Sequence, residues 1–120
     1  MKVINLLEDA KVAKKELLDI VSKEIEVEDV GQTSTAISIR GKDGSYIHAR
    51  CAGFMIDLSY VNIVKAREGK FTRIIRSIKN SSVIKSCTIG GVISDEMKHF
   101  IEKNNFKTTE EYGVISVLVK

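Results

Sequence analysis

The stretch MIDLSYVNIVKAREGKFTRII, residues 55–75, contains a change of period that decides the fold. Residues 54–64 are rich in Ile, Val and Tyr, which is typical of a central β-strand. After Gly69, apolar residues recur at helical spacing over residues 69–79. A second apolar stretch, residues 83–93, follows, and a strand-helix-strand crossover predicts parallel pairing in at least part of the sheet.

Upstream of this stretch, the pattern predicts a helix, a strand and a β-hairpin. Residues 3–24 place their apolar side chains on one face of a helix. Residues 25–30 alternate apolar and acidic side chains as a strand does. The hairpin spans residues 35–51, with Gly41-Lys42-Asp43-Gly44 as its turn, because glycine tolerates the positive φ angles of tight turns. Hairpin and long strand together predict an antiparallel meander.

Downstream, the pattern predicts a last helix and a closing strand. Ser94 followed by two acidic residues is a favourable helix start, and Asn104-Asn105 suits its end. Residues 114–119 form the closing strand. The whole chain, residues 1–120, therefore predicts a single α+β domain with a mixed sheet: an N-terminal helix, an antiparallel meander and then β-α-β-α-β.

Composition excludes several classes of protein. Apolar residues make up 43% of the chain and charged residues 29%, which excludes a disordered chain. Cys51 and Cys87 lie in apolar stretches without metal-ligand spacing, so we expect buried thiols in a reducing compartment and no metal site. No apolar run approaches the roughly 18–20 residues of a membrane span. Acidic residues interrupt the N-terminal apolar run, so no signal peptide is predicted and we expect a cytoplasmic protein.

Basic residues crowd one segment of the chain, which carries a formal charge of +3. The segment contains Lys65, Arg67, Lys70, Arg73, Arg76 and Lys79. It is compatible with a solvated helix face or with a site for phosphate or nucleic acid. Nucleic acid is the less favoured of these partners, because no aromatic residues interleave with the charges on an exposed strand.

The order of elements from residue 35 to residue 120 resembles the GNAT-type N-acetyltransferase fold, as found in bacteriophage proteins. Phage members of that family often start a helix with Gly-x-Phe-Thr, and family members commonly end the last helix with a Gly-Phe-like corner. Here Gly69-Lys70-Phe71-Thr72 and Asn105-Phe106 occupy those places. The first helix is compatible with the resemblance but does not carry it.

The resemblance implies a binding site for acetyl-coenzyme A. The pantetheine arm would pair with the backbone where the long strand splays from its neighbour, and the pyrophosphate would bind the helix N-terminus, where free amides and a glycine favour an anion. The implied cofactor-binding residues are Asn62, Ile63, Val64, Arg67, Gly69, Lys70, Phe71 and Thr72.

The resemblance also implies direct attack of an amine, on a protein or a small molecule, on the thioester. Such a transfer needs a route for the proton of the amine and often an acid for the leaving thiolate. Tyr112 and Tyr60 are the candidate acids and Asp57 is the candidate base. Each also has a structural interpretation, since strand tyrosines usually pack and the alternation around Asp57 favours a polar face.

Two further interpretations stay open beside the enzyme. The cofactor motif of the family begins with Gln or Arg and ends with Gly or Ala. This chain has Ala66 at the first of these positions and Phe71 at the last. The difference favours a catalytically reduced GNAT-like phage protein that binds a host macromolecule. The basic segment favours nucleic acid. Because the sheet edges of small GNAT-like proteins often pair, a homodimer is also compatible with the resemblance.

Overall fold

A computed structural model describes residues 3–64, 69–92, 95–111 and 114–120. In chain order, these residues form α1 (Val3–Ser22), β1 (Val27–Gln32), β2 (Ala36–Gly41), β3 (Tyr46–Ala52), β4 (Met55–Asn62), α2 (Lys70–Asn80), β5 (Ser86–Val92), α3 (Asp95–Asn104), β6 (Lys107–Glu111) and β7 (Val114–Leu118).

The strands form one mixed sheet with the order β1-β2-β3-β4-β5-β7-β6. The pairs β1/β2, β2/β3, β3/β4, β5/β7 and β6/β7 are antiparallel, whereas β4 and β5 are parallel. The predicted α+β class, the antiparallel meander and the parallel pairing in part of the sheet are therefore confirmed. The sequence interpretation omitted β6, a polar edge strand that pairs with β7.

All three helices pack on the same face of the sheet. Both crossovers, β4-α2-β5 and β5-α3-β6, step in the same direction across the sheet, so right-handed connections bring α2 and α3 to one side. The two helices meet there through the rings of Phe71 and Phe100, whose centroids are 5.0 Å apart. The first helix lies on this side too, against β2, β3 and β4.

The core lies between this helix layer and the inward side chains of the sheet. Its strand residues alternate strictly, as a half-buried sheet requires. They are Ile37, Ile39, Ile47, Ala49, Cys51, Ile56, Leu58, Cys87, Ile89 and Val117, and Val119 continues the alternation just beyond β7. In the part of the chain that the structure describes, no helix covers the opposite side of the sheet, which we call the open face.

Some boundaries differ from the sequence prediction. The strand predicted at residues 25–30 begins at Val27, because the Ile25 amide donates to the Val21 carbonyl and the buried Ile25 side chain closes the end of α1. The strand predicted from residue 83 begins at Ser86. Among the described residues, no helix is long and apolar enough to cross a membrane.

Candidate functional site

The parallel strands β4 and β5 separate before either one ends. Their pairing runs from Met55↔Ser86 to Leu58↔Ile89. Beyond this point β4 continues to Asn62 and β5 to Val92, and within the described residues no further β4/β5 pair forms. We call the gap between residues 59–62 and residues 90–92 the strand notch.

A β-bulge at Ser59 accounts for the separation. His48 pairs with Tyr60 and Ala49 pairs with Leu58, so Ser59 is an extra residue in β4 without a partner in β3. Its hydroxyl donates to the His48 carbonyl at 3.2 Å. A bulge bends its strand and increases the local twist, and Ser59 directly follows Leu58, the last residue of β4 that pairs with β5.

Gly90 lies on the β5 side of the notch, against the carboxylate of Asp57. A Cβ at this position would lie 3.2 Å from Asp57 Oδ1, which is closer than ordinary van der Waals contact. The missing side chain therefore lets β5 pass close to the carboxylate. The pairing of β5 with β7 is also irregular between Ile89 and Val92. The regular pairing of β5 is therefore interrupted along both of its edges at this point, towards β4 and towards β7.

The second helix begins beyond the end of β4 with a residue in the left-handed region. Gly69 is its N-cap with φ 81°, and no side chain caps the helix. The first amides of a helix lack intrahelical partners, so this start presents donors to solvent or to a ligand. The Phe71 side chain does not lie on this exposed surface, because it is buried beneath the helix against the ring of Phe100. Thr72 is half-buried.

A polar network joins the β2–β3 turn to the start of α2. Lys70 Nζ lies 3.6 Å from Asp43 Oδ2, and the Ser45 amide donates to Asp43 Oδ1 at 2.9 Å. Hydrogen bonds from the Ser45 amide and hydroxyl, and then the Lys70 charge, hold the pKa of the Asp43 carboxyl below its usual 3.8. The Val64 amide donates to the fully buried Ser45 Oγ at 3.0 Å.

This network was missed by sequence reasoning, which treated residues 41–44 as a turn alone. An Asp two residues before a Ser in a tight turn is a known local signal, since the carboxylate accepts from the amide two residues on. The long-range partners, Val64 and Lys70, have no such signal. They come together because β4 returns beside β3.

The predicted cofactor-binding residues are distributed around the notch and the helix start. Asn62 is exposed at the end of β4, whereas Ile63 is buried. Gly69, Lys70, Phe71 and Thr72 form the cap and first turn of α2, with Val64 at the end of the preceding segment. Arg67 lies outside the described residues, as do Lys65 and Ala66.

Asp57 and Tyr60 both lie on the open face. Asp57 Oδ2 contacts Arg50 Nη2 at 3.0 Å, and its Oδ1 accepts from Thr88 Oγ1 at 2.8 Å. Tyr60 is 54% exposed, and its ring meets that of Tyr46 edge-on at 5.7 Å. The third candidate, Tyr112, lies outside the described residues.

The rest of the open face on β2, β3 and β4 combines cations with aromatic and polar groups. By register, Arg40 faces Tyr46, and Ser38, His48 and Tyr60 form the next row. The Arg40 guanidinium lies 5.8 Å from the centroid of the Tyr46 ring. Ser38 Oγ and His48 Nδ1 share a hydrogen bond of 2.8 Å.

The two cysteines face the helices and carry no site chemistry. Burial raises the pKa of the Cys51 thiol to about 11 and that of Cys87 to about 12. Neither is a thiolate at neutral pH, so neither is an activated nucleophile. Elsewhere in the described part of the chain, no group of three His, Cys, Asp or Glu side chains could hold a metal ion.

Comparisons of this chain with protein-family models, with curated proteins and with solved structures found no match.

Proposed function

We propose that this protein is a GNAT-like acetyltransferase that binds acetyl-coenzyme A in the strand notch and transfers the acetyl group to an amine. The observation that carries the proposal is the end of the β4/β5 pairing at Leu58↔Ile89 while both strands continue. A cytoplasmic setting goes with this proposal, because acetyl-coenzyme A is an intracellular thioester.

The notch suits an extended ligand with amide groups. Backbone N–H and C=O groups are obligatory hydrogen-bonding groups, and those of residues 59–62 that point away from β3 have no β5 partner in the described pairing. An extended chain can add to such an edge as a further strand does. The pantetheine arm carries two amides and is long enough to lie along this part of β4.

The start of α2 suits the phosphate end of the cofactor. Unpaired amides and the helix dipole favour an anion, and Gly69 has no side chain to obstruct it. Lys70 adds a positive charge beside these amides. Phe71 supports the site from below, since its ring packs on Phe100 and leaves the outer surface of the first turn clear.

For the transfer itself, the acceptor amine attacks the thioester carbonyl, loses a proton, and the coenzyme A thiolate leaves and takes up a proton. We assign the candidate acid role to Tyr60 or Tyr112. Because Thr88 and Arg50 already engage both oxygens of Asp57, water is the more direct route for the proton of the amine. Asp57 would then position groups on the open face.

A catalytically reduced GNAT-like phage protein that binds a host protein is the second candidate. It is favoured by two contacts at the implied cofactor site. The Val64 amide is already paired with Ser45, and Lys70 is already paired with Asp43, so a ligand would have to displace or share both partners. A protein without coenzyme A would keep both contacts permanently.

The test is the shift in melting temperature with acetyl-coenzyme A. At a concentration about 100-fold above Kd, a ligand stabilises the native state by about 2.7 kcal/mol, which is an upward shift on the order of 10 °C for a domain of this size. Gly69→Val should abolish the shift, because a bulky residue is strained at φ 81° and covers the amides. Gly31→Val is the matched control, since a Cβ at Gly31 meets nothing within 4 Å.

Coenzyme A and pantetheine separate the two parts of the site. Pantetheine lacks the phosphates, so it should give a smaller shift that Gly69→Val leaves intact. No shift with acetyl-coenzyme A or coenzyme A would overturn the enzyme proposal and favour the second candidate. Equal shifts in wild type and Gly69→Val would place the phosphates away from α2.

A further inference from the structure

We propose that the open face of β2, β3 and β4 binds single-stranded nucleic acid. This proposal does not depend on coenzyme A binding. It rests on aromatic and cationic side chains from residues 40–60 that the meander brings together on a surface that none of the described helices covers.

Two tyrosines provide surfaces for base stacking. Tyr46 and Tyr60 lie on neighbouring strands with ring centroids 5.7 Å apart and an interplanar angle of 64°. Tyr60 is 54% exposed although it is a large apolar ring on a central strand. Bases stack on exposed aromatic rings of sheet surfaces regardless of sequence, because every base has a π-face.

Two arginines lie on the same face as these rings. Arg40 stands over Tyr46, and Arg50, with a side chain that is 70% exposed, lies one row beyond His48 and Tyr60 on β3. Arg50 pairs with Asp57, but exposed ion pairs are weak and salt-screened, so a phosphate can compete for this guanidinium. Arginine also binds phosphate in a bidentate manner, which a flexible backbone can follow.

The exposed groups of this face are those that bind single-stranded nucleic acid, with π-faces for the bases and arginines for the phosphates. A second copy is the competing occupant, because tyrosine, methionine and arginine are also enriched at protein interfaces and the exposed Met55 lies on β4 as well. The oligomeric state of the protein therefore distinguishes the two occupants.

The open face is a better candidate than the basic segment that the sequence singled out. In α2, Lys70 pairs with Asp43 and Arg73 contacts Glu24 at 2.6 Å. Lys79 lies over the ring of Phe106 at 5.5 Å. Acidic neighbours thus engage two of the four cations of this segment that the structure describes. The sequence argument against nucleic acid concerned the charges of that segment alone, whereas the open face brings arginines and tyrosines together on one surface.

The experiment is a fluorescence anisotropy titration of the full chain with a labelled oligouridine of about 12 nucleotides, at about 50 mM salt. Tyr60→Ala should weaken binding by roughly 5- to 150-fold, as for loss of one stacking ring. Arg40→Ala should reduce the slope of log K against log salt by about 0.7, the value for one phosphate contact on a single strand. Arg76→Ala, an exposed cation on α2, is the control and should change Kd less than about twofold.

Two further arms sharpen the test. Asp57→Asn should tighten binding, because it frees Arg50 for phosphate. An oligothymidine of the same length distinguishes DNA from RNA, and a duplex of either should bind more weakly because its bases are not free to stack. The variants are compared only where their circular dichroism and melting curves match those of the wild type.

Several results would overturn the proposal. They are no binding at low salt, binding that Tyr60→Ala leaves unchanged, and binding that Arg76→Ala weakens as much as Arg40→Ala does. A wild-type dimer that Tyr60→Ala dissociates would also overturn it, because the face would then be covered by a second copy.

Discussion

Asp43 shows how one side chain holds the helix start in position. Its carboxylate accepts from the Ser45 amide and pairs with Lys70, so it connects the β2–β3 turn to the first turn of α2. The same Ser45 holds the Val64 amide through its buried hydroxyl. Three separate segments of chain therefore depend on a single carboxylate and a single hydroxyl at the implied phosphate site.

The lowered pKa of Asp43 predicts a pH dependence of stability. A carboxyl whose folded pKa lies below its unfolded pKa stabilises the fold above the unfolded value, and this contribution is lost as the pH falls through the folded value. The pKa is lowered from 3.8 by the Ser45 amide, the Ser45 hydroxyl and Lys70. The difference in free energy of unfolding between wild type and Asp43→Asn should therefore be constant above about pH 5 and shrink below about pH 4.

Urea denaturation at a series of pH values measures this difference. Asp29→Asn, an exposed residue of β1, is the matched control and should show no comparable loss. If Asp43→Asn and Asp29→Asn differ from wild type by the same amount at every pH, the Asp43 network does not stabilise the folded chain.

At the scale of single elements, the sequence predicted what its own periodicity encodes. Helix α2 was predicted from four apolar residues at helical spacing, and Phe71, Ile74, Ile75 and Ile78 are indeed its buried residues. Strand β6 was missed because its sequence, KTTEE, has no apolar alternation. It is a strand only because β7 offers a partner, from Lys107↔Leu118 to Glu111↔Val114.

The strand notch was outside the reach of sequence patterns for a related reason. Its cause is the extra residue Ser59, and a bulge is defined by the partner strand rather than by the residues on either side of it. Nothing in Leu58-Ser59-Tyr60 distinguishes a bulge from regular alternation. The resemblance to the GNAT fold placed a splay near Asn62, whereas periodicity alone predicted an unbroken strand.

The C-terminal end of α2 gives a prediction at this scale. Lys120 Nζ donates to the Ser81 carbonyl at 2.6 Å and to the Ile78 carbonyl at 3.2 Å. The Ile78 carbonyl also accepts from the Ser81 amide, so the cation adds a second, charge-assisted bond to it and one to the Ser81 carbonyl just beyond the helix, and it interacts favourably with the helix dipole. Lys120→Met keeps the aliphatic stem and removes the charge, so it should lower the free energy of unfolding by about 1–2 kcal/mol.

Chemical denaturation of Lys120→Met and of Lys23→Met tests this. Lys23 is exposed just after α1 and serves as the control, with an expected change within about 0.5 kcal/mol. Equal losses of unfolding free energy in both variants would mean that the bonds of Lys120 to the end of α2 contribute no more than an exposed lysine does.

Across the described residues, the molecule is a sheet that helices cover on one side, and this asymmetry follows from its connections. Two right-handed crossovers that step the same way place α2 and α3 together, and α1 joins them. The helix-facing residues are apolar, whereas the open face carries polar and charged side chains such as Arg50, His48 and Asp57. The alternation of apolar and polar side chains along each strand therefore already assigns one face to the core and the other to the open surface.

The two edge strands decide whether such a sheet associates with itself. An unpaired edge invites pairing with another chain, and charged side chains and bulges oppose it. The β1 edge carries the exposed acids Glu28 and Asp29 at an irregularity in its pairing with β2. The β6 edge carries exposed Lys107 and Glu110. Although the resemblance is compatible with a homodimer, these edges predict a monomer.

Light scattering coupled to size exclusion, at micromolar concentration and moderate salt, should give the mass of one chain. The variant Glu28→Val/Asp29→Val removes the charges from the β1 edge and should form dimers or larger species, whereas Glu8→Val/Asp9→Val on α1 should stay monomeric. A wild-type dimer that persists in Tyr60→Ala would show that an edge does pair. A wild-type dimer that Tyr60→Ala dissociates would instead place the contact on the open face, and the nucleic-acid site would then be excluded. The oligomeric state therefore tests the edges and the open face in one measurement.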